Sequence, residues 1–522
     1  MTIRHATGRA GALAFALVCT LGSTLGGTPA AAAPAAPAHP ATVETDFASL
    51  TRLMTQASEQ LDKGDTEGAA DTLLAVIRHP RFADLPPDGH YATFAALALT
   101  LYANGQTQEA YDRMKQAGLA APALRDADYW FGMADICSEL NREEEALDAI
   151  IIVAQKWPEP FRALESEYVF SLLTRAKALD DGGARRLKLL EAMYAGKYVP
   201  ENPFMLAEGL WFDLFDIYVN KGETEKAAAL ARTFVEFSSL VRIRIDHRYA
   251  AFRAAAPLDL SGAVAQSVQR ARARTEAHPD LIEGVNFYAL ELLDANRPAE
   301  ALKVIDAALK KAQGAKPPFT DLDEHLNWAL DARNSILGKL GRWKEAEAAQ
   351  VKARDHALAK GEDIVSQKIN LGGFYYLQGK PDLALEEVAG VDLTQTSPYG
   401  IMAAEEVRAC AYAQKGEPDK LKASLDFMKG QAKDGYGPLR SALLCANDQD
   451  ALAALIVAKL DDPDTRADTL IDVQTYLPEP APTPIMAELD ARRAHVIARP
   501  DVQAAVAKYG IILSLPTFRP TN

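Results

Sequence analysis

Apolar residues along most of this chain recur at helical spacing and then stop at a glycine or an asparagine. Trp211, Leu214 and Tyr218 stand at i, i+3 and i+7, and Gly222 follows. Leu371, Gly372 and Tyr375 precede Gly379 in the same register. Phe94, Leu97, Ala98 and Leu101 precede Gly105, and Trp130, Met133, Ala134 and Cys137 precede Asn141. An apolar stripe of period 3.6 predicts a helix with one buried face. Glycine and asparagine accept the left-handed conformation that ends a helix, and the polar residues after them start the next one. The pattern therefore predicts helical hairpins.

The stop is part of a longer phrase: Gly or Asn, a polar residue, three variable residues, then Ala. It runs from Gly64 to Ala69, Gly105 to Ala110, Asn141 to Ala146, Gly222 to Ala227, Asn296 to Ala301, Gly341 to Ala346 and Gly379 to Ala384. Weaker copies start at Gly416 and at Ala446, and the two longest gaps leave room for degenerate units near Gly183 and Gly262. The fixed alanine lets the second helix pack closely on the first. Repeats of this length indicate a solenoid, in which each unit buries its apolar face against the next.

The phrase resembles the tetratricopeptide repeat. Trp211, Leu214, Tyr218, Gly222, Ala227 and Phe234 fall where that family keeps its packing residues, and Leu371, Gly372, Tyr375, Gly379 and Ala384 do the same. Ala289, Leu292, Asn296, Ala301 and Ala308 form a third good copy. The resemblance covers roughly residues 47 to 460. It implies an all-α solenoid of about nine to ten antiparallel hairpins in a right-handed superhelix. The spacing departs from the family's strict period and its closing proline is mostly missing, which leaves room for an irregular stack in two lobes. The expected organisation is an N-terminal array over 46–238, a degenerate Arg-rich unit over 239–280, a C-terminal array over 281–462 and a cap over 463–522. The cap carries the proline-rich stretch Leu477 to Pro484 and covers the last hairpin.

The N-terminus reads as an address. Arg4 and Arg9 precede an apolar run, Gly11 to Leu21, and small residues follow to Ala33. That order is a secretory signal peptide, and the run is too short to span a bilayer. Residues 34–45 read as an Ala/Pro-rich tether. The expected location is periplasmic. Cys19 lacks the small residues that lipidation needs before it, so no lipid anchor is expected.

Composition adjusts the picture in three places. The 95 alanines are explained by close helix packing. The net charge of −15, or −17 once Arg4 and Arg9 are removed, argues against a nucleic-acid surface. Only Cys137, Cys410 and Cys445 remain after export, and in an oxidising compartment a Cys410–Cys445 bridge becomes an open question.

No catalytic or metal-ligand spacing is present, and no cofactor, metal or enzymatic activity is expected. By the resemblance, the first helix of each hairpin lines a concave groove. That places Phe131, Asp135, Phe212, Asp216, Trp328, Asp331 and Tyr376 in a partner-binding groove, acidic with aromatics. The same assignment also places there Ala92, Ala95, Leu99 and Tyr102, Asp128 and Ser138, Gly209 and Val219, Ser335 and Gly338, Ser366, Ile369 and Gly373, and Ala403, Glu406, Cys410 and Ala413. Against this trend, Arg244 and Arg248, spaced as one helix face, and Arg270 and Arg274 form a candidate patch for an anionic partner. The function implied is a protein-binding scaffold or adaptor of the cell envelope. The alternatives are a ligand-capture protein for an outer-membrane importer and an enzyme whose site assembles from scattered residues.

Overall fold

The computed structural model describes residues 46–314, 316, 318–360, 364–391 and 396–519. The expected signal peptide and tether lie outside the described residues. The chain forms two compact units, Met1–Leu214 and Phe215–Asn522.

The first unit holds helices α1 (Phe47–Asp62) and α2 (Thr66–Arg78), α3 (Pro87–Ala103) and α4 (Thr107–Ala120), and α5 (Ala127–Glu139) and α6 (Glu143–Lys156). A short α7 (Pro158–Arg162) leads to α8 (Ser166–Ala178) and α9 (Ala184–Ala195). Helix α10 (Glu208–Lys221) contains the boundary between the units.

The second unit continues with α11 (Thr224–Ala231), α12 (Phe237–Ile245), a 3₁₀ turn at His247–Phe252 and α13 (Leu260–Ala277). Four hairpins follow: α14 (Ile282–Asp294) with α15 (Pro298–Ala312), α16 (Leu322–Lys339) with α17 (Trp343–Lys360), α18 (Val365–Leu377) with α19 (Pro381–Ala389), and α20 (Pro398–Lys415) with α21 (Pro418–Gly430). A last pair, α22 (Tyr436–Cys445) and α23 (Gln449–Asp461), precedes the cap. The cap comprises α24 (Pro463–Asp472), β1 (Thr475–Leu477), α25 (Pro484–Ile497), α26 (Pro500–Tyr509) and β2 (Ser514–Phe518).

One hydrogen-bonding device makes most of the hairpin turns. Gly64, Gly105, Asn141, Gly222, Asn296, Gly341, Gly379 and Gly416 all take positive φ. The next residue then donates its N–H to the carbonyl five positions back, as in Gln106 to Leu101 at 2.8 Å, Arg142 to Cys137 at 2.8 Å and Lys380 to Tyr375 at 2.9 Å. This is the Schellman closure, which satisfies a helix-end carbonyl. A side chain there meets steric cost unless it is Gly or Asn. The alanine of the phrase is the second constant. Ala69, Ala110, Ala146, Ala227, Ala301, Ala346 and Ala384 are all fully buried, as the sequence predicts.

Three expectations need correction. The last turn is at Asn447, not Ala446: Asn447 has positive φ, and Asp448 bonds back to Leu443 at 3.0 Å. Asparagine tolerates the left-handed region where alanine does not. Gly262 makes no turn, because it lies in the first turn of α13 and donates its N–H to the capping Asp259. Arg244 and Arg248 share no helix face. Helix α12 ends at Ile245, and Asp246 is extended and caps the 3₁₀ turn through Arg248 N–H.

The cap departs from all-α architecture in one place. Strands β1 and β2 pair in parallel, with Thr475 opposite Ser514. Ile511 N–H also bonds the Ile245 carbonyl at 2.9 Å. Cap residues Leu470, Val473, Val496, Val502, Val506 and Leu515 form one core with Val241, Ile245, Leu443 and Leu452. Cys410 and Cys445 are disulfide-bonded, linking α20 to the end of α22, and Cys137 is a buried free thiol.

Candidate functional site

In the second unit the first helices of successive hairpins face a common cavity of about 1480 Å³. Helix α16 contributes Trp328, Asp331, Ser335 and Gly338, and α18 contributes Ser366, Ile369, Gly373 and Tyr376. Ala403 and Glu406 come from α20. These positions are three or four residues apart on each helix, so one face of each supplies the wall.

The cap supplies the opposite wall, with Tyr476, Glu479, Asp490, Arg493 and Arg519 among its lining residues. The proline-rich stretch runs past the hairpin turns. Glu479 pairs with the buried Lys339, and Thr483 Oγ1 donates to the Leu377 carbonyl at 2.5 Å. Arg492 Nη1 donates to the carbonyls of Leu444 at 2.7 Å and Cys445 at 3.0 Å, closing the C-terminal end of α22. These contacts satisfy backbone groups that a docked segment would otherwise strand.

The cavity has two chemically different ends. At one, Trp328 is 51% exposed, and Leu290 also presents apolar surface. Asp331 lies beside them with one carboxylate oxygen buried and unpartnered. Burial raises its pKa to about 6, and the side chains of Gln350 and Asn370 oppose the shift. At the other end, Tyr376 OH donates to Glu406 Oε1 at 2.8 Å. Burial brings Glu406 up to about 7, against the opposing effects of Tyr376 and the Arg440 charge. Arg440 is buried and paired with Asp472, which Arg519 also contacts at 3.1 Å. Arg493 has its pKa lowered to about 10, first by burial and then by Arg519 and Arg440. A groove read as acidic from sequence is thus acidic at one end and cationic at the other.

No family model and no curated protein matches the sequence. Solved structures with some likeness include a tetratricopeptide repeat protein from Parabacteroides merdae, at 15% identity over 59% of this chain and 93% of that one, with a TM-score of 0.20. The Cut9–Hcn1 hetero-tetramer of APC/C aligns at 12% identity over 88% of this chain and 96% of that one, with a TM-score of 0.28. Yeast Tom70 aligns at 12% identity over 88% and 99%, with a TM-score of 0.23. Superpositions this loose carry no argument, and the all-α hairpin solenoid is described from the chain's own turns and buried alanines.

The repeats are helical hairpins closed by a left-handed Gly or Asn and a buried alanine. Trp328, Asp331 and Tyr376 of the expected TPR-like groove do meet in the cavity. Phe131, Asp135 and Phe212 lie in the first unit. Phe131 and Phe212 are buried, and Asp135 is near Tyr102 and Tyr168 and contributes to raising both phenols. Asp216 is outside the cavity: it accepts from Tyr249 OH at 2.5 Å and from Arg248 Nη1 at 3.1 Å.

The arginine stretch is largely taken up within the fold. Arg244 donates to the Leu258 carbonyl, Arg248 pairs with Asp246 at 2.8 Å and Arg270 pairs with Glu236 at 2.9 Å. Arg274 is half-buried and, with Arg270, acts on Glu291. Sequence reasoning missed Arg440, Arg493 and Arg519, which lie outside the repeat phrase. No periodic signal marks them, since the path of the cap brings them together.

Among the described residues, Glu283, Asp321 and His325 also come within metal-ligating distance of one another. Both Asp321 oxygens already accept backbone N–H groups, from Ile282 at 2.7 Å and Glu283 at 2.9 Å. That is a cap for α14, and it accounts for the cluster.

Proposed function

We propose that the protein is an exported, non-enzymatic binding scaffold of the cell envelope that holds a partner segment in the groove of its second unit. The convergence of three successive hairpins on one cavity carries this reading. Its volume, about 1480 Å³, exceeds the roughly 300–1,000 Å³ of most small-molecule sites, and it suits a length of polypeptide. Trp328 and Tyr399, each about half exposed at the cavity, are the aromatic anchors such an interface uses. The leader-like N-terminal sequence supports export, and the Cys410–Cys445 pairing accords with an oxidising compartment. No described helix is long and apolar enough to cross a membrane.

The test is capture by the immobilised full chain from an envelope extract. Trp328→Glu with Tyr399→Glu is expected to abolish capture of the specific partner. Leu119→Glu, at an exposed site in the first unit, leaves it intact. Equal capture by the double variant would remove the groove from the function.

A further inference from the structure

The cationic end of the cavity has an unusual charge arrangement. Three guanidinium groups, from α22 (Arg440), α25 (Arg493) and the residue after β2 (Arg519), line the cavity. Asp472 serves two of them: Arg440 through its Nη1, and Arg519 through its Nη1 at 3.1 Å. Arg519 is further held by the Asp472 carbonyl at 2.7 Å and lies 4.6 Å above the Tyr476 ring. Arg493 has a weaker arrangement. It pairs with Asp490 at 3.4 Å, and that carboxylate is half exposed. The Nε atoms of Arg440 and Arg493 are both buried without a hydrogen-bond partner, and the Arg440 side chain is only 9% exposed.

A buried guanidinium needs either water or an acceptor on every N–H, and like charges held together need a counter-charge. The formal count here is three cations against the two carboxylates of Asp472 and Asp490. Glu406 lies at the same end, but burial raises its pKa to about 7, so at neutral pH it supplies only part of a negative charge, which Tyr376 OH and Arg440 favour. The two fixed carboxylates leave one cation unmatched. A planar oxyanion is the group that matches a guanidinium fork, and one surplus charge fits a monoanion better than a dianion. Tyr376 and Tyr399 border the same volume and offer ring surface to an unsaturated or apolar body.

We infer that this end of the cavity is a binding site for a small organic carboxylate, its oxyanion on Arg493 and Arg440 and its body against Tyr376 and Tyr399. The residues that hold the charge come from the last helix pair and the cap, and the site needs no protein partner. It therefore stands or falls separately from the scaffold reading.

The probe is benzoate, titrated by calorimetry into the full-length protein, with benzamide and inorganic phosphate as comparison arms. Benzoate is expected to bind, and benzamide, which has the same shape without the charge, is not. Arg493→Gln is expected to weaken benzoate by at least about tenfold, the order of one charge-assisted hydrogen bond. The variant relieves like-charge crowding, so its melting temperature without ligand should be no lower than wild type. Failure of benzoate to bind the wild type overturns the assignment, as does equal binding of benzoate by Arg493→Gln. Phosphate binding more tightly than benzoate would replace the monoanion with a dianion site and overturn the proposal as stated.

Discussion

The two units use the same hairpin and bury different chemistry. In the first, the repeat is closed by apolar packing. Helix α3 buries Ala95, Ala96, Leu97, Ala98, Leu99 and Leu101, while charged pairs of the unit reach solvent, as in Arg185 of α9 with Asp148 and Glu144 of α6 at 2.9 Å. Its inward titratable groups are mostly phenols such as Tyr102, which burial pushes to about 12. In the second unit, burial lifts Glu291 and Glu406 to about 7, and Asp294 and Asp331 to about 6. Arg440 and Lys339 are buried beside them. The difference coincides with the cap. Where a non-repeat segment is folded against the groove, charged side chains are enclosed that an open groove would leave in water. The contrast teaches that the repeat sets the walls, and the sequence outside the repeat sets the chemistry.

The largest expected effect comes from breaking the buried charge network. Arg440→Gln leaves the enclosed Asp472 with Arg519 alone and should cost the second unit about 3 kcal/mol, the low end for a broken buried pair. Hydrogen exchange resolved by segment reads this directly, with lost protection over 436–519 and little change over 46–200. Equal loss in both units would end the distinction drawn between them.

A smaller effect should appear when the first unit is disturbed through packing. Ala110 is fully buried in α4, and Ala110→Leu should cost about 1–3 kcal/mol by overpacking. Thermal unfolding followed by exchange should place that loss in the first unit. A neutral outcome would mean that the fixed alanine is not a close-packing constraint.

The remaining expected effect is the pH dependence. In the folded second unit, four carboxyls hold their protons more tightly than the roughly 3.9–4.3 of unfolded Asp and Glu. The folded state thus binds more protons, and stability falls as pH rises from about 5 to 7, then levels off. The melting temperature of the second unit should drop across that window. Glu406→Gln should flatten the slope. A rise in stability between pH 5 and 7 would mean that these groups are ionised in the folded protein.

Much of the fold was legible because its signals are local. A left-handed turn needs Gly or Asn, and a close helix contact needs Ala, so Gly105 with Ala110 or Gly379 with Ala384 reveal a hairpin without any tertiary knowledge. Asn447 shows where that reading slips: the alanine before it fitted the spacing, but the backbone conformation selects asparagine. The groove residues of α16 and α18 followed from the resemblance, which assigns the inward face of each first helix. The cationic end did not, because Arg440 and Arg519 are 79 residues apart in sequence and share no phrase. The Cys410–Cys445 pairing was left open for the same reason. It depends on α20 meeting the end of α22, a tertiary fact that spacing alone does not fix.

The most direct test of the central claim is site-specific photo-crosslinking in the native envelope. A photoreactive residue is placed in turn at Trp328, Ser366 and Tyr399, which line the cavity, and at Leu119 and Phe427, which are exposed outside it. The account predicts one adduct of common mass from the three cavity positions and none from the other two. An adduct from Leu119 or Phe427, with none from the cavity, would contradict it.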